Sequence, residues 1–149
     1  MEQTPRFYFF YIMRKITKII VHCADTPEGR NDTAEDIRRW HKARGFNDIG
    51  YHYVVDLDGT IEPGRDVTIA GAHATGHNAD SIGICYIGGA DTDMKPKDTR
   101  TEEQKTALRL LLKYLVQKYP GAKIYGHRDF ANKSCPSFDA ITEYKELCE

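Results

Sequence analysis

The chain has 149 residues, of which 40% are apolar and 29% are charged. This length predicts one domain, and it is enough to bury a hydrophobic core without disulfide bonds. Its 21 Lys and Arg residues against 22 Asp and Glu residues give a net charge of −1, so no broad positive field attracts nucleic acid or an anionic membrane. The composition therefore excludes a basic nucleic-acid-binding domain, a disordered acidic chain and a collagen-like repeat.

The first 14 residues are predicted to form an N-terminal extension, disordered or partly packed, ahead of a domain over residues 15–149. Residues 7–13 are apolar, but this run is far shorter than the roughly 20 residues that span a bilayer. Basic residues follow the run, and no small-residue cleavage site does. We therefore expect neither a secretory signal peptide nor membrane insertion.

The first half of the chain predicts a strand, a helix and a hairpin. Residues 16–21 are apolar and rich in β-branched side chains, which is typical of a buried strand that leads into His22. A helix is expected from Thr33, whose hydroxyl can cap its start, to a stop at Gly45. Residues 51–62 contain an Asp-Gly turn between two strand-like runs and predict a β-hairpin.

The second half predicts two strands and two helices. Residues 81–87 favour a strand, and residues 88–100 are typical of a loop. A Thr-x-x-Gln capping box opens the clearest helix, over residues 101–119. Residues 122–125 favour a strand, and residues 141–147 a last helix. The order β-α-β-β-loop-β-α-β-α predicts a single α/β domain, with a mixed central sheet flanked by helices.

Two of the six histidines occupy positions that are typical of functional sites. His22 ends the first predicted strand and His127 follows a later one, and side chains at strand ends in α/β sheets point into a crevice. By contrast, His41 lies on a predicted helix between charged residues, so we expect a packing or solvated role. His52 alternates with tyrosines and is expected in the core.

Of the four cysteines, Cys135 is the candidate for a role in catalysis or metal binding. The four cysteines form no CxxC pair and are expected to be free thiols in a reducing compartment. With His22 and His127, Cys135 could supply a three-ligand zinc site whose fourth position is left for water. Alternatively, Cys135 could be a nucleophile activated by a histidine, or the three residues could be unrelated. A metal-bound thiolate is a poorer nucleophile, so the two chemical roles exclude each other, and spacing alone does not decide.

Tyr51 and Lys133 are polar candidates on separate segments of the chain. A phenol can donate a hydrogen bond to a developing oxyanion, and an ammonium two residues before a ligand can stabilise negative charge at the same place. The plainer interpretation is a core tyrosine and a surface lysine.

Several short motifs occur together in a family order. They are Ile20-Val21-His22-Cys23, Gly50-Tyr51-His52-Tyr53, Gly71-Ala72-His73-Ala74, Ser81-Ile82-Gly83-Ile84-Cys85, Gly126-His127-Arg128 and Lys133-Ser134-Cys135-Pro136. In this order and spacing, over roughly residues 15–144, the chain resembles the zinc-dependent N-acetylmuramoyl-L-alanine amidases of phage endolysins. The peptidoglycan recognition proteins share their fold.

This resemblance implies specific roles for seven residues. They are the zinc ligands His22, His127 and Cys135, the catalytic residues Tyr51 and Lys133, and the substrate contacts His73 and Asn78. The implied substrate is peptidoglycan or a muropeptide, cut at the amide between N-acetylmuramic acid and L-alanine.

The resemblance also frames the expected setting of the chain. Non-catalytic members of this fold bind peptidoglycan but lack the cysteine ligand, so a binding module is the alternative that Cys135 disfavours. We expect a monomer of phage or prophage origin, made in the cytoplasm, that acts on the cell wall after release or export.

Overall fold

A five-stranded sheet forms the centre of the computed structural model, which describes residues 14–149. In chain order the elements are β1 (Lys18–Cys23), β2 (Thr26–Pro27), α1 (Ala34–Ala43), β3 (Tyr53–Val55), β4 (Ile61–Pro63), β5 (Ser81–Tyr86), β6 (Gly89–Ala90), α2 (Glu102–Lys118), β7 (Lys123–Gly126) and α3 (Ala140–Glu143). The central sheet has the order β4-β3-β5-β1-β7. Its strands are parallel except for β4, which is antiparallel to β3. The predicted mixed sheet flanked by helices is confirmed.

The predicted N-terminal extension lies almost wholly outside the described residues, as does the apolar run at 7–13. Its last residue, Arg14, is described, and its guanidinium donates to the carbonyl oxygens of Val67 at 2.7 Å and Ser81 at 3.0 Å. The domain boundary at residue 15 stays a prediction. Within the described part of the chain, no helix combines the length and apolar character needed to cross a bilayer.

Both long helices begin at the capping residues that the sequence predicts. The Thr33 hydroxyl accepts from the backbone N–H of Asp36, whose carboxylate accepts in return from the N–H of Thr33. Thr101 and Gln104 form the same reciprocal pair at the start of α2. Because each pair satisfies two backbone N–H groups that have no partner within the helix, the two helix starts are fixed.

The structure departs from the predictions in two short segments. Residues 26–27, for which no strand is predicted, and residues 89–90, expected in a loop, pair as the parallel strands β2 and β6. The backbone N–H of Gly88 donates to the Thr26 hydroxyl at 3.0 Å, which extends this pairing. The predicted last helix is one α-helical turn, α3, followed by a 3-10 turn over Lys145–Cys148. The segment continues as a 3-10 turn because the N–H of Leu147 donates to the carbonyl three residues earlier, and not four.

Alternation along β1 determines which face of the sheet carries the candidate site. Ile19, Val21 and Cys23 pack in the same core cluster as the buried side of α2. Because successive side chains of a strand point to opposite faces, His22 lies on the other face. Its partner in the register of β5 is Cys85, which packs in a second core cluster with α1.

The hairpin of β3 and β4 contains a carboxyl group whose pKa the fold raises. The pKa of Asp56 is raised to about 7, first by burial and then by the neighbouring Glu62 carboxyl. The unfolded chain binds this proton only below roughly pH 4. The stabilisation from the bound proton is therefore full below that pH and is lost as the pH rises from about 4 to about 7.

Replacing this carboxyl with an amide is expected to stabilise the protein at alkaline pH. We expect Asp56→Asn to melt a few degrees above the wild type at pH 8 and to lose this advantage at pH 4, measured by differential scanning calorimetry. Asp58→Asn, at an exposed turn position whose pKa is lowered by the N–H of Thr60, is the control and should show no gain. An Asp56→Asn variant that melts at or below the wild type at pH 8 would contradict the assignment.

A buried arginine ties the start of α2 to the segment that follows Cys135. The Arg100 side chain is 2% exposed, and it donates to the carboxylates of Asp98 and Glu143 and to the Tyr144 hydroxyl. Its guanidinium carbon lies 3.5 Å from the centroid of the Phe138 ring. Removing one partner from a buried ion pair leaves the remaining charged groups buried without a partner, which destabilises the fold.

We therefore expect Arg100→Leu to lower the free energy of unfolding by about 3 kcal/mol, the lower part of the range for buried pairs, because both carboxylates keep some contact with water. Urea denaturation measures this change. Arg109→Leu, which removes an exposed ion pair with Glu146, is the matched control and should cost under about 1 kcal/mol. Equal effects of the two substitutions would show that the Arg100 network does not stabilise the fold.

Candidate active site

Three side chains from distant parts of the chain converge at one point. The candidate ligand atoms of His22, His127 and Cys135 all lie within 4.8 Å of one another. The His22 and His127 ring centroids are 4.6 Å apart. Within residues 14–149, no other group of three or more His, Cys, Asp or Glu side chains has metal-binding geometry.

The backbone after β7 brings His127 and Cys135 to the end of β1. The strand β7 pairs with β1, and His127 follows it directly in a 3-10 turn over His127–Asp129. The Asp129 carboxylate accepts from the N–H of Gly126 at 2.8 Å, which holds this turn against the strand end. The N–H of Arg128 donates to the Cys135 carbonyl at 2.7 Å, so the following loop folds back on the turn.

The Cys135 side chain is half-buried, with its sulfur against the end of β1. It accepts from the backbone N–H of Cys23 at 3.2 Å. The adjacent Cys23 thiol and burial raise the pKa of the Cys135 thiol above its ordinary value. A thiolate at this position therefore needs a neighbouring cation to compensate its charge.

His22 has one ring nitrogen with a partner and one without. Its Nε2 lies 2.8 Å from Nδ1 of His73, whereas its buried Nδ1 has no hydrogen-bond partner. Burial lowers the pKa of His22 well below its ordinary value, and the nearby His73, His127 and Lys133 lower it further. Buried polar atoms rarely lack a partner, so a neutral ring with a free buried lone pair fits a metal ligand.

Tyr51 and Lys133 border the same cluster. The Tyr51 and His22 ring centroids are 5.0 Å apart. Burial, followed by the neighbouring Cys85 thiol, raises the pKa of the Tyr51 phenol well above its ordinary value, so the hydroxyl keeps its proton. Lys133 lines both lobes of the same groove as Tyr51 and His127, and its positive charge contributes to the lowered pKa of both His22 and His127.

A groove with two lobes opens over the cluster. The lobes have volumes of about 570 Å³ and about 350 Å³. The residues that line both lobes are His41, Arg44, Tyr51, His127 and Lys133. Cys135 lines the larger lobe with Trp40, and Asn78 and His73 line the smaller lobe with Phe130. Six of the seven predicted site residues thus line the groove, and His22 lies buried beneath it.

Two of the remaining histidines, His41 and His52, had predicted roles. His41 is buried and accepts from the N–H of Gly50 at its Nδ1, at 2.9 Å, as expected of a packing role, and it also lines both lobes of the groove. His52 is 1% exposed and accepts from the N–H of Gly83, which confirms a core position. The groove wall formed by Trp40 of α1 and by Arg44, which directly follows the helix, was not predicted. Their i,i+4 spacing on the predicted helix was the signal that could have found it.

Comparison with known proteins decides the family. Residues 13–138 match the family model described as N-acetylmuramoyl-L-alanine amidase. The chain belongs to this family.

Relatives of this amidase-family chain include proteins of known name and structure. An endolysin of Enterobacteria phage T3 is 46% identical over 121 residues, which cover 81% of this chain and 80% of that protein. The amidase LysC from Clostridium intestinale has the same fold, with a TM-score of 0.76 and 31% identity over 92% of this chain and 87% of LysC. Drosophila PGRP-LB has a TM-score of 0.74 and 29% identity over 89% of this chain and 81% of that one. A mutant of it has been solved with tracheal cytotoxin. The predicted family and fold are confirmed.

Proposed function

We propose that this chain is a zinc-dependent amidase that cuts the bond between N-acetylmuramic acid and L-alanine of peptidoglycan. The observation that carries the proposal is the convergence of His22, His127 and Cys135 in a member of the N-acetylmuramoyl-L-alanine amidase family. The names of its relatives, an endolysin and an amidase among them, support the same activity. The proposed place of action is the cell wall.

The donor set favours zinc over other cations. Two imidazole nitrogens and one thiolate are ligands that zinc prefers, and three protein ligands leave one coordination position open, as in catalytic sites. The unpartnered Nδ1 of His22 and the half-buried Cys135 sulfur are the atoms that a cation there would satisfy. When bound, zinc supplies a Lewis acid and lowers the pKa of a coordinated water to about 7.

The chain's own polar groups stabilise the charge that forms on the amide oxygen. Tyr51 keeps its proton and can donate a hydrogen bond, and Lys133 lines the same groove beside Tyr51 and His127. Because the site is partly closed to water, each donor aimed at a developing oxyanion contributes about 3–4 kcal/mol to the transition state.

The two lobes of the groove suit a substrate that extends to both sides of the cleaved bond. The scissile amide joins a sugar to a peptide, and the lobes meet at Tyr51, His127 and Lys133. Substrate held in both lobes therefore presents its amide to the cluster, which is how positioning lowers the barrier of a hydrolysis.

The alternative of a cysteine nucleophile has less support. A nucleophilic cysteine needs a lowered pKa, whereas the pKa of Cys135 is raised. The His22 ring forms its hydrogen bond with His73, and not with a carboxylate or amide of the kind that orients the histidine of a cysteine hydrolase. A thiol alkylator applied to metal-depleted protein distinguishes the two mechanisms, because only a cysteine hydrolase would be active before the treatment and inactivated by it.

Product analysis tests the proposed reaction. We expect purified peptidoglycan treated with the protein to release peptides with new L-alanine amino termini, while the glycan strands stay intact, as measured by mass spectrometry. Cys135→Ser is the inactive control. New reducing sugar ends in place of L-alanine termini would identify a glycosidase, and binding to the wall without any release would identify a binding module.

A further inference from the structure

A chain of buried side-chain hydrogen bonds runs inward from the candidate metal ligand His22. Nε2 of His22 lies 2.8 Å from Nδ1 of His73, and Nε2 of His73 lies 3.2 Å from the Ser81 hydroxyl. His22 and Ser81 are fully buried, and His73 is 9% exposed. Both nitrogens of the His73 ring are thus engaged inside the protein rather than directed at the groove.

The direction of these hydrogen bonds follows from the free nitrogen of His22. If its unpartnered Nδ1 faces a cation, the single proton of the neutral ring is on Nε2 and donates to Nδ1 of His73. The proton of a neutral His73 is then on its Nε2 and donates to the Ser81 oxygen. The tautomer of His22 therefore fixes that of His73, and this series of hydrogen bonds ends at the Ser81 hydroxyl, whose oxygen accepts the last one.

The His73 ring packs closely against two glycines. A Cβ added at Gly83 would lie 2.6 Å from the ring, and one added at Gly71 would lie 2.7 Å from its Cδ2. The Asn78 side-chain oxygen accepts from the backbone N–H groups of His73 and Ala74, both at 2.9 Å. The ring is thus confined by two glycines, and its backbone is fixed by one amide.

We propose that His73 is a positioning residue that holds His22 in its metal-binding tautomer and orientation, and that Asn78 fixes the backbone of His73. This inference rests on the proposed zinc site. It gives the two residues a role that their hydrogen bonds within the protein support, and the expectation that they contact substrate stays a prediction. Partners that orient a metal-bound histidine commonly contribute 10–100-fold to metal affinity.

Two amide substitutions at the same position separate this role from a general packing role. The Asn oxygen is as many bonds from Cα as Nδ1 of histidine, so His73→Asn keeps an acceptor for His22. The Gln amide corresponds instead to Nε2, so His73→Gln keeps only the contact with Ser81. We expect His73→Gln to bind zinc about 10–100-fold more weakly than the wild type. His73→Asn should stay close to the wild-type value, as measured by competition with a chelator.

A spectroscopic measurement reports the tautomer directly. In zinc-loaded protein labelled with ¹⁵N-histidine, we expect the His22 ring to show a metal-bound Nδ1 and a protonated Nε2 in the wild type and in His73→Asn. In His73→Gln, the Nε2 proton should exchange faster with water. A substrate contact at His73 would instead raise KM and leave the zinc affinity and the His22 signals unchanged, which would overturn the inference.

The controls keep this result distinct from failure of the proposed function. His77→Asn changes a histidine of the same loop whose ring packs on Phe130 at 4.1 Å, and it should bind zinc as the wild type does. Wild-type protein that binds no zinc would refute the proposed function itself, whereas wild-type zinc affinity in a folded His73→Gln refutes only the inference. If His73→Gln does not fold, Ser81→Ala decides: weaker zinc binding supports the chain of hydrogen bonds, and unchanged binding refutes it.

Discussion

Cys135→Ser is expected to lose zinc and activity together while the fold persists. A serine hydroxyl stays protonated and is a poor zinc ligand, so the site would keep two imidazoles and lose its only anionic donor. Because the loss of an outer partner already costs about 10–100-fold in metal affinity, the loss of a ligand should weaken zinc binding by at least about 100-fold. Amidase activity on purified peptidoglycan should fall by at least the same factor.

This experiment needs a second cysteine variant and a test of folding. Cys148→Ser removes a partly buried thiol near the C-terminus and should keep both zinc and activity. Circular dichroism should show the same secondary structure in both variants, since Cys135 lies on a loop between β7 and α3. Full activity of Cys135→Ser at wild-type zinc content would exclude thiolate ligation.

Tyr51→Phe and Lys133→Ala should slow the reaction without releasing the metal. Each removes one donor that we place beside the developing oxyanion, and such donors are worth about 10²–10³-fold in kcat. An interaction made only in the transition state lowers kcat and kcat/KM equally. We therefore expect KM for a soluble muropeptide to change little, with about one zinc still bound per chain.

Neighbouring residues supply the controls for this pair. Tyr53, in β3, packs in the core cluster with α2, whereas Tyr51, which precedes that strand, packs in the cluster with α1, so Tyr53→Phe should leave kcat unchanged. Lys113 is exposed on α2, and Lys113→Ala should do the same. If Tyr51→Phe or Lys133→Ala turns over at the wild-type rate, that residue does not belong to the reaction. If zinc is lost together with the activity, the residue stabilises the metal site and not the oxyanion.

Local signals in the sequence predicted the framework of the fold. The capping hydroxyl of Thr33 and the capping box at Thr101 predicted both long helices, because their hydrogen bonds join residues only three positions apart. The β-branched run before His22 predicted β1, although the strand begins two residues later and extends through Cys23. Such features depend on neighbours in the sequence, and therefore can be found without the tertiary structure.

Features that depend on contacts between residues far apart in the sequence could not be predicted from sequence patterns. The two-residue strands β2 and β6 form because Thr26 meets Gly88 and Gly89 in space, and neither segment is strand-like alone. Likewise, the spacing of His22, His127 and Cys135 left zinc, a nucleophile and coincidence open. The family motifs, not the spacing, predicted that these residues act together, and the hydrogen bond between His22 and His73 required coordinates.

Titration of metal-depleted protein with zinc tests the central claim most directly. Activity on a muropeptide should rise linearly with added zinc and stop rising at about one equivalent per chain, as the wild-type metal content measured by mass spectrometry should also show. Cys135→Ser should show no such rise. Full turnover by protein that contains no metal would contradict the account.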